Sequence, residues 1–205
     1  MTINIDYYFA PQSPWAYLGH ARFATMAKER RAAVKVMPVD LGGKVFPVSG
    51  GLPLAQRPAQ RQAYRLVELA RWSKYLGLPL NVTPKFFPVS GDDAARLIIA
   101  IDQYDGSEAA LKLTGAALAA VWAQERNIAD MAVLAELITE CGLRPGRLAQ
   151  SRNSSVQARY DEYAQAAIAA HVFGAPSYVV EGEIFWGQDR LDLLELKLLN
   201  LPPAS

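Results

Sequence analysis

Residues 3–19, INIDYYFAPQSPWAYLG, decide how the chain begins to fold. Apolar and polar side chains alternate over the first seven of these residues, and the run ends at Pro11, which predicts a β-strand. Ser13 followed by Pro14 is typical of the N-cap and first residue of a helix. A capping box would place Glu or Gln at position 16, where the sequence has Ala16. The missing acid indicates that the Ser13 hydroxyl serves a purpose other than capping.

The residues that follow complete a strand–helix–strand unit. Small and apolar positions keep helical spacing from Pro14 to about Arg31. Residues 32–41, AAVKVMPVDL, form a second apolar run, which we expect to end as a strand at Pro38. This order within about forty residues predicts a right-handed βαβ unit with parallel strands.

The middle of the chain has a different pattern. Residues 42–56 carry four glycines and two prolines, which predicts a loop. Helical periodicity then recurs between breaks at Gly, Pro, Asn and Asp. It predicts helices over residues 57–77, 91–106, 107–127 and 130–142. No strand pattern interrupts roughly residues 57–150.

The last fifty residues return to mixed structure. A helix is predicted over residues 154–174, with Gly174 as its C′ glycine. Two short apolar runs in SYVVEGEIFWG, residues 177–187, flank Glu181-Gly182-Glu183 and predict a hairpin. Residues 188–200 form an amphipathic pattern that predicts a closing helix.

Removing the helical block leaves the order βαβ–αββα, which is the thioredoxin plan. We therefore predict an α/β, thioredoxin-like fold with a large all-helical insertion. Residues 1–45 and 152–205 would form the discontinuous thioredoxin-like domain, and residues 46–151 would form the helical insertion domain.

The composition excludes several classes of function. The 205 residues are 51% hydrophobic with a net charge of +1, so neither nucleic acid nor an anionic membrane surface is expected as a partner. The first ten residues lack the pattern of a signal peptide. The single cysteine excludes an internal disulfide framework, and together these features indicate a cytoplasmic protein.

The segment after the first strand is the first candidate for chemistry. In a thioredoxin-type sheet this loop opens onto a helix N-terminus, which stabilises an anion such as a thiolate. Redox proteins of this fold carry C-x-x-C there, whereas this chain has Ser13-Pro14-Trp15-Ala16, so dithiol exchange is excluded. Cys141 lies in the helical block and is expected to be buried in a core.

Two further positions have both a structural and a functional interpretation. Pro176 precedes an apolar strand and is either an ordinary turn proline or a cis-proline facing the first helix, which would leave Ala175 free to pair with an extended peptide. Asp189 is either the N-cap of the last helix or a carboxylate that accepts a ligand's ammonium group.

Charged and metal-binding side chains form two other patterns. Arg57, Arg61 and Arg65 fall on one helix face, which is either solvated or attracts a carboxylate. His20 and His171 lack ligand spacing, so we expect no metal site.

Two stretches carry a family resemblance. Residues 6–19, DYYFAPQSPWAYLG, and residues 158–194, ARYDEYAQAAIAAHVFGAPSYVVEGEIFWGQDRLDLL, closely resemble the 2-hydroxychromene-2-carboxylate isomerase family, as does the helical insertion between them. That family lies beside the kappa-class glutathione transferases in the DsbA-like thioredoxin superfamily. The specific feature is the ordered combination of Ser-Pro, G-x-P and W-G-x-D-R-L.

The resemblance implies a glutathione-dependent cis–trans isomerase that forms trans-o-hydroxybenzylidenepyruvate in aromatic-compound degradation of the naphthalene type. It implies that Ser13 is catalytic and stabilises the glutathione thiolate, and that the protein is a homodimer. It also assigns the remaining glutathione contacts to Ala175, Pro176, Trp186, Gly187, Gln188 and Asp189.

The substrate side departs from the family pattern. Lys44 is retained as a candidate, but no asparagine accompanies it near residues 50–51, and Phe87 stands nearest to the expected tyrosine. Two alternatives therefore stay open. One is a kappa-like glutathione transferase that conjugates electrophiles through the same serine, and the other is a non-catalytic thioredoxin-like binding module.

Overall fold

The first strand lies inside a four-stranded sheet in the computed structural model, which describes residues 3–201. Strand β1 (Asn4–Phe9) pairs in parallel with β2 (Ala33–Pro38), and α1 (Pro14–Glu29) connects them. On its other side β1 pairs antiparallel with β3 (Ser177–Val180), which pairs with β4 (Glu183–Trp186). The strand order β2-β1-β3-β4 and the parallel βαβ unit confirm the predicted thioredoxin-like fold.

The alternation along β1 separates two cores. Tyr7 and Phe9 point into the larger core, where Phe23 of α1 joins them. Tyr8 points to the opposite face of the sheet and packs with Tyr163. Because successive side chains of a strand point to opposite faces, one strand supplies both cores.

Helices occupy most of the chain between β2 and β3. They are α2 (Phe46–Ser49), α3 (Ala59–Leu76), α4 (Asp92–Asp105), α5 (Ser107–Trp122), α6 (Met131–Glu140), α7 (Arg147–Gln150) and α8 (Ser154–Ala169). Leu97 and Ile98 of α4 lie in the same core as Ile5 of β1. The insertion therefore shares its packing with the sheet, and the division at residues 45/46 and 151/152 stays a prediction.

The predicted loop over residues 42–56 is wrong in part, because much of it is helical. A π-helical turn (Leu41–Val45) leads into α2, and a 3₁₀ turn (Leu54–Gln56) follows. Asp40 stabilises the first turn, since its carboxylate accepts the Gly43 N–H at 2.8 Å. An Asp cap of this kind offsets the poor helix propensity of the two glycines.

The predicted end of the helix over residues 154–174 is also wrong. Helix α8 ends at Ala169, and His171 adopts the left-handed conformation at φ +57°. The N–H of Val172 then donates to the Ala167 carbonyl at 2.8 Å, which completes a Schellman motif. His171 therefore occupies the C′ position predicted for Gly174, as histidine does more readily than most residues.

The final elements follow the prediction closely. Glu181 and Gly182 both have positive φ and form the two-residue turn between β3 and β4. A 3₁₀ turn (Gln188–Arg190) then precedes α9 (Leu191–Leu199), so the last helix begins three residues later than predicted. Within residues 3–201, no helix has the length and apolar character that a membrane crossing requires.

Candidate active site

The topology brings four segments to one edge of the sheet. The parallel pairing places the carboxyl ends of β1 and β2 side by side, with Phe9 opposite Pro38. The antiparallel pairing of β1 with β3 places Tyr8 opposite Ser177, so the start of β3 lies at the same edge. Trp186, at the end of β4, pairs with Ser177. The segments that contain Ser13, Lys44, Pro176 and Asp189 therefore converge at this edge.

Ser13 is the N-cap of α1, and its hydroxyl oxygen accepts the Ala16 N–H at 3.2 Å. The hydroxyl therefore does cap the helix, although no capping box accompanies it. Capping uses the oxygen only as an acceptor, however, and in the described part of the chain no acceptor takes the hydroxyl hydrogen. A partly exposed O–H donor thus stands at the positive end of a 16-residue helix.

The loop that carries Ser13 is held on both sides. The Ser13 N–H donates to the Ala10 carbonyl at 2.9 Å. The indole N–H of Trp122, at the end of α5, donates to the Gln12 carbonyl at 3.2 Å. Since that carbonyl belongs to the peptide bond preceding Ser13, the helical insertion helps to position the candidate catalytic residue.

The Ala175–Pro176 peptide bond is cis, which confirms the cis-proline prediction and excludes an ordinary turn proline. Pro176 is buried, and Ala175 is partly exposed. The Gly187 N–H donates to the Pro176 carbonyl at 2.9 Å, which joins this segment to the end of β4.

Gly174 and Trp186 are in close contact. A β-carbon on Gly174 would collide with the Trp186 indole nitrogen, so only glycine fits under that ring. Phe173 supports the indole from another side, with the two ring centroids 4.7 Å apart. Half of the Trp186 side chain stays exposed at the edge of the sheet.

The structure separates Gln188 from Asp189. The Gln188 side chain is buried against α1, where its amide oxygen and its carbonyl both accept from the Arg22 guanidinium. Asp189 is exposed, and its carboxylate pairs with Arg190 at 2.8 Å. The N-cap of α9 is Arg190, so the cap interpretation of Asp189 is wrong.

The two substrate-side candidates lie in different surroundings. Lys44 is exposed in the π-helical turn after β2. Phe87 packs against Trp122, with ring centroids 4.8 Å apart, and so lies one side chain away from the Ser13 loop. Both positions stay predictions as substrate contacts.

The surroundings of Arg65 were not predicted from the sequence. Its guanidinium lies 5.1 Å from the Phe87 ring centroid and 5.5 Å from that of Trp122. Burial, and then the nearby charge of Arg57, lowers the pKa of Arg65 to about 10. Arg65 therefore does not lie on a fully solvated helix face. No local sequence pattern could have predicted its contacts, because Arg65, Phe87 and Trp122 lie in separate helices and loops.

Two other side chains considered for chemistry, His20 and Cys141, are buried in the protein interior. His20 lies 3.3 Å from the Tyr7 hydroxyl and 2.9 Å from the Leu111 carbonyl, and burial lowers its pKa to about 4. Cys141 is buried as predicted, and desolvation raises the pKa of its thiol. Residues 3–201 contain no cluster of three side chains suited to a metal ion.

A cavity of about 530 Å³ lies away from this edge, between α1 and α5. Its lining includes Ala24, Lys28 and Leu111, and Ser13 is not part of it. The polar groups that converge at the sheet edge, rather than this cavity, therefore define the candidate site.

Comparisons with known proteins identify relatives of this chain. The model of the DsbA-like thioredoxin domain matches residues 4–199. The 2-hydroxychromene-2-carboxylate isomerase of Pseudomonas putida is 31% identical over 93% of this chain and 92% of its own length. That of Sphingobium xenophagum is 28% identical over 98% of this chain and 100% of its own length.

A solved structure extends the likeness to three dimensions. The structure of a 2-hydroxychromene-2-carboxylate isomerase superposes with a TM-score of 0.76 at 27% identity, covering 95% of this chain and 94% of the other. Fold and sequence thus point to the same relatives. The chain belongs to the DsbA-like thioredoxin domain family and, within it, to the 2-hydroxychromene-2-carboxylate isomerase family.

Proposed function

We propose that this protein catalyses the glutathione-dependent cis–trans isomerisation of 2-hydroxychromene-2-carboxylate, or of a closely related aromatic carboxylate, in aromatic-compound degradation. The observation that carries the proposal is the Ser13 hydroxyl, which caps α1 through its oxygen and keeps its hydrogen for a ligand. Kinship with named isomerases supports the reaction class.

The residues at the sheet edge fit glutathione. Ala175, partly exposed before the cis peptide bond, would pair with the extended backbone of the tripeptide. The exposed Trp186 ring and Gly187 would border its γ-glutamyl end, and Asp189 would exchange Arg190 for the ammonium group. Gln188 fits less well, because Arg22 already occupies its side-chain oxygen.

Ser13 would act on the sulfur of that ligand. Bound glutathione supplies a thiol which, once ionised, is the covalent catalyst of the bond rotation. Lowering a thiol pKa from about 8.5 to about 6.5 requires about 2.7 kcal/mol. A hydrogen bond from the Ser13 hydroxyl contributes about 1.5–3 kcal/mol, and the end of α1 adds about 0.3–1 kcal/mol. Together these two contributions amount to about 1.8–4 kcal/mol, a range that includes the required value.

Product analysis tests the proposal. The native protein is mixed with 2-hydroxychromene-2-carboxylate, with and without glutathione, and the products are separated. We expect the trans-benzylidenepyruvate only when glutathione is present. Ser13→Ala should lower kcat/KM by about tenfold to hundredfold, as expected for a lost hydrogen bond to a charged group. Ser13→Thr, which keeps a hydroxyl, should retain most of the activity.

The control for loss of a helix cap is Asp130→Ala. Asp130 caps α6 by accepting the Ala132 N–H at 2.9 Å, so its removal costs stability of the same order as removal of Ser13. Unchanged turnover in this variant assigns the effect of Ser13→Ala to chemistry. Stable glutathione conjugates would instead indicate a transferase, and glutathione binding without turnover would indicate a binding module.

We also propose that the enzyme works as a homodimer in the cytoplasm. Besides the resemblance, the support is α3, which exposes Tyr64, Val67 and Tyr75 to solvent. A second copy would cover such apolar side chains. Sedimentation equilibrium measures the assembly, and a monomer at micromolar concentration would contradict it.

A further inference from the structure

Three arginines in and just before α3 have no counter-charge in the part of the chain that the structure describes. Arg57 precedes α3 and donates to the Leu52 carbonyl at 2.8 Å, while Arg61 and Arg65 lie on α3 itself. Within residues 3–201, none of the three has a carboxylate within 4.0 Å. Burial and then the charge of Arg61 lower the pKa of Arg57. The cluster is therefore cationic and partly desolvated.

Arg65 is the member of this cluster with an unmet hydrogen-bonding group. Its Nη2 atom is buried and has no hydrogen-bond partner in the part of the chain that the structure describes. The guanidinium is stacked against Phe87 and Trp122, so its plane is held while the side chain stays partly exposed. An unpaired buried donor is unfavourable, and a carboxylate is the natural acceptor for a guanidinium.

The position of Arg65 relates it to the reacting end of the site. Trp122, on which the guanidinium rests, donates to the carbonyl of the peptide bond before Ser13. Arg65, Phe87 and Trp122 all come from the helical insertion, whereas the proposed glutathione contacts other than Ser13 come from the β3–β4 end of the chain. Arg65 therefore lies in a different segment of the chain from the proposed glutathione contacts of the β3–β4 end.

We propose that Arg65 binds the carboxylate of the aromatic substrate, with Phe87 and Trp122 holding the guanidinium in place. The identity of this anion as substrate rests on the proposed function. Arg65 thus adds a carboxylate receptor to the substrate side, where the family pattern gave Lys44 and Phe87 as candidates without assigning the carboxylate to either. A fixed guanidinium is better suited to this role than an exposed lysine, because it presents two parallel donors to a carboxylate.

A binding experiment tests this role without requiring turnover. Isothermal titration measures trans-cinnamate, an unreactive aromatic carboxylate, and its neutral amide against the native protein saturated with glutathione. Arg65→Gln should weaken cinnamate binding by about tenfold to hundredfold and leave the affinity for the amide unchanged. Arg65→Lys should fall in between. Arg152→Gln, which removes an exposed arginine elsewhere, should bind like the native protein.

Three results would overturn the inference. One is equal loss of cinnamate and amide binding, which would reduce Arg65 to a packing role. Another is weaker binding of glutathione with cinnamate unaffected, which would assign Arg65 to the tripeptide's own carboxylate. The third is loss of cinnamate binding in Lys44→Gln but not in Arg65→Gln. If Arg65→Gln does not fold, as judged by circular dichroism, Arg65→Lys decides.

The proposed function and this inference can fail separately. If the chromene carboxylate is not isomerised but cinnamate binding still depends on Arg65, the function is wrong and the anion site remains. If isomerisation proceeds normally in Arg65→Gln with an unchanged KM, the function remains and this inference is wrong.

Discussion

At the scale of single residues, two small residues shape the candidate site. Ser13 stands where a redox protein of this fold carries a cysteine, so this position supplies no sulfur nucleophile of its own. Gly174 leaves room for the Trp186 indole, which forms one wall of the proposed glutathione site.

Gly174→Ala is expected to displace Trp186, because the new methyl group would overlap the indole nitrogen. We predict a loss of stability of about 1–3 kcal/mol, as for other overpacked sites, and a severalfold rise in the KM for glutathione. Urea denaturation and steady-state kinetics measure the two effects. Gly146→Ala is the control, since its added methyl group would meet no atom within 4 Å, and equal effects in both variants would contradict the prediction.

At the scale of elements, the ends of strands and helices place the functional groups. The junction between α8 and β3 must turn the chain within a few residues to bring Pro176 to the sheet edge. His171 makes that turn in a conformation that glycine adopts without strain. The helix end is therefore less stable than the same motif with glycine would be.

His171→Gly should accordingly stabilise the protein by about 1 kcal/mol, because it removes the left-handed strain at the C′ position of α8. Thermal or urea unfolding measures this gain. His171→Ala keeps a β-carbon in the same conformation and should stay within about 0.5 kcal/mol of the native protein. Destabilisation by glycine would show that the imidazole itself holds the turn.

At the scale of the whole molecule, the sheet and both cores depend on buried aromatic and polar groups. His20 links α1 to β1 and α5 through the Tyr7 hydroxyl and the Leu111 carbonyl. Its ring is buried and neutral, so its protonation is coupled to unfolding of the core.

Stability is therefore predicted to fall as the pH drops from about 6.5 to about 4. Burial lowers the pKa of His20 to about 4 in the folded protein, while the unfolded chain keeps the ordinary value near 6.5. Between these values the unfolded state binds the extra proton, which weakens folding by about 3 kcal/mol in total. Above pH 6.5 this contribution is fully present.

Urea denaturation at several pH values measures this dependence. Comparison with His20→Gln isolates the histidine, because the carboxylates titrate in both proteins. Between pH 6.5 and pH 4, the free energy of unfolding of this variant should fall by about 3 kcal/mol less than that of the native protein. His171→Gln, at an exposed histidine, should keep the native dependence, and a parallel pH profile for native protein and His20→Gln would contradict the prediction.

Sequence patterns predicted most of this molecule because they are local. The alternation at residues 3–9, the Ser13-Pro14 pair and the long helices each follow from neighbouring residues. The Asp40 cap on Gly43 was not predicted, because the glycines of residues 42–56 favour a loop. The left-handed His171 was not predicted either, because glycine is the usual residue at that helix position. The Arg65 stack depends on contacts between distant segments, which no local pattern contains.

In the proposed function, the Ser13 hydroxyl at the N-terminus of α1 stabilises the thiolate of bound glutathione. The most direct measurement is the pKa of the bound glutathione thiol, followed by its thiolate ultraviolet absorbance in the native protein and in Ser13→Ala. Cys141 does not interfere near neutral pH, because its buried thiol has a raised pKa. We expect a pKa near 6.5 for the thiol in the native complex and a return toward about 8.5 in the variant. An unshifted pKa in the native complex, or the same lowered pKa in both proteins, would contradict it.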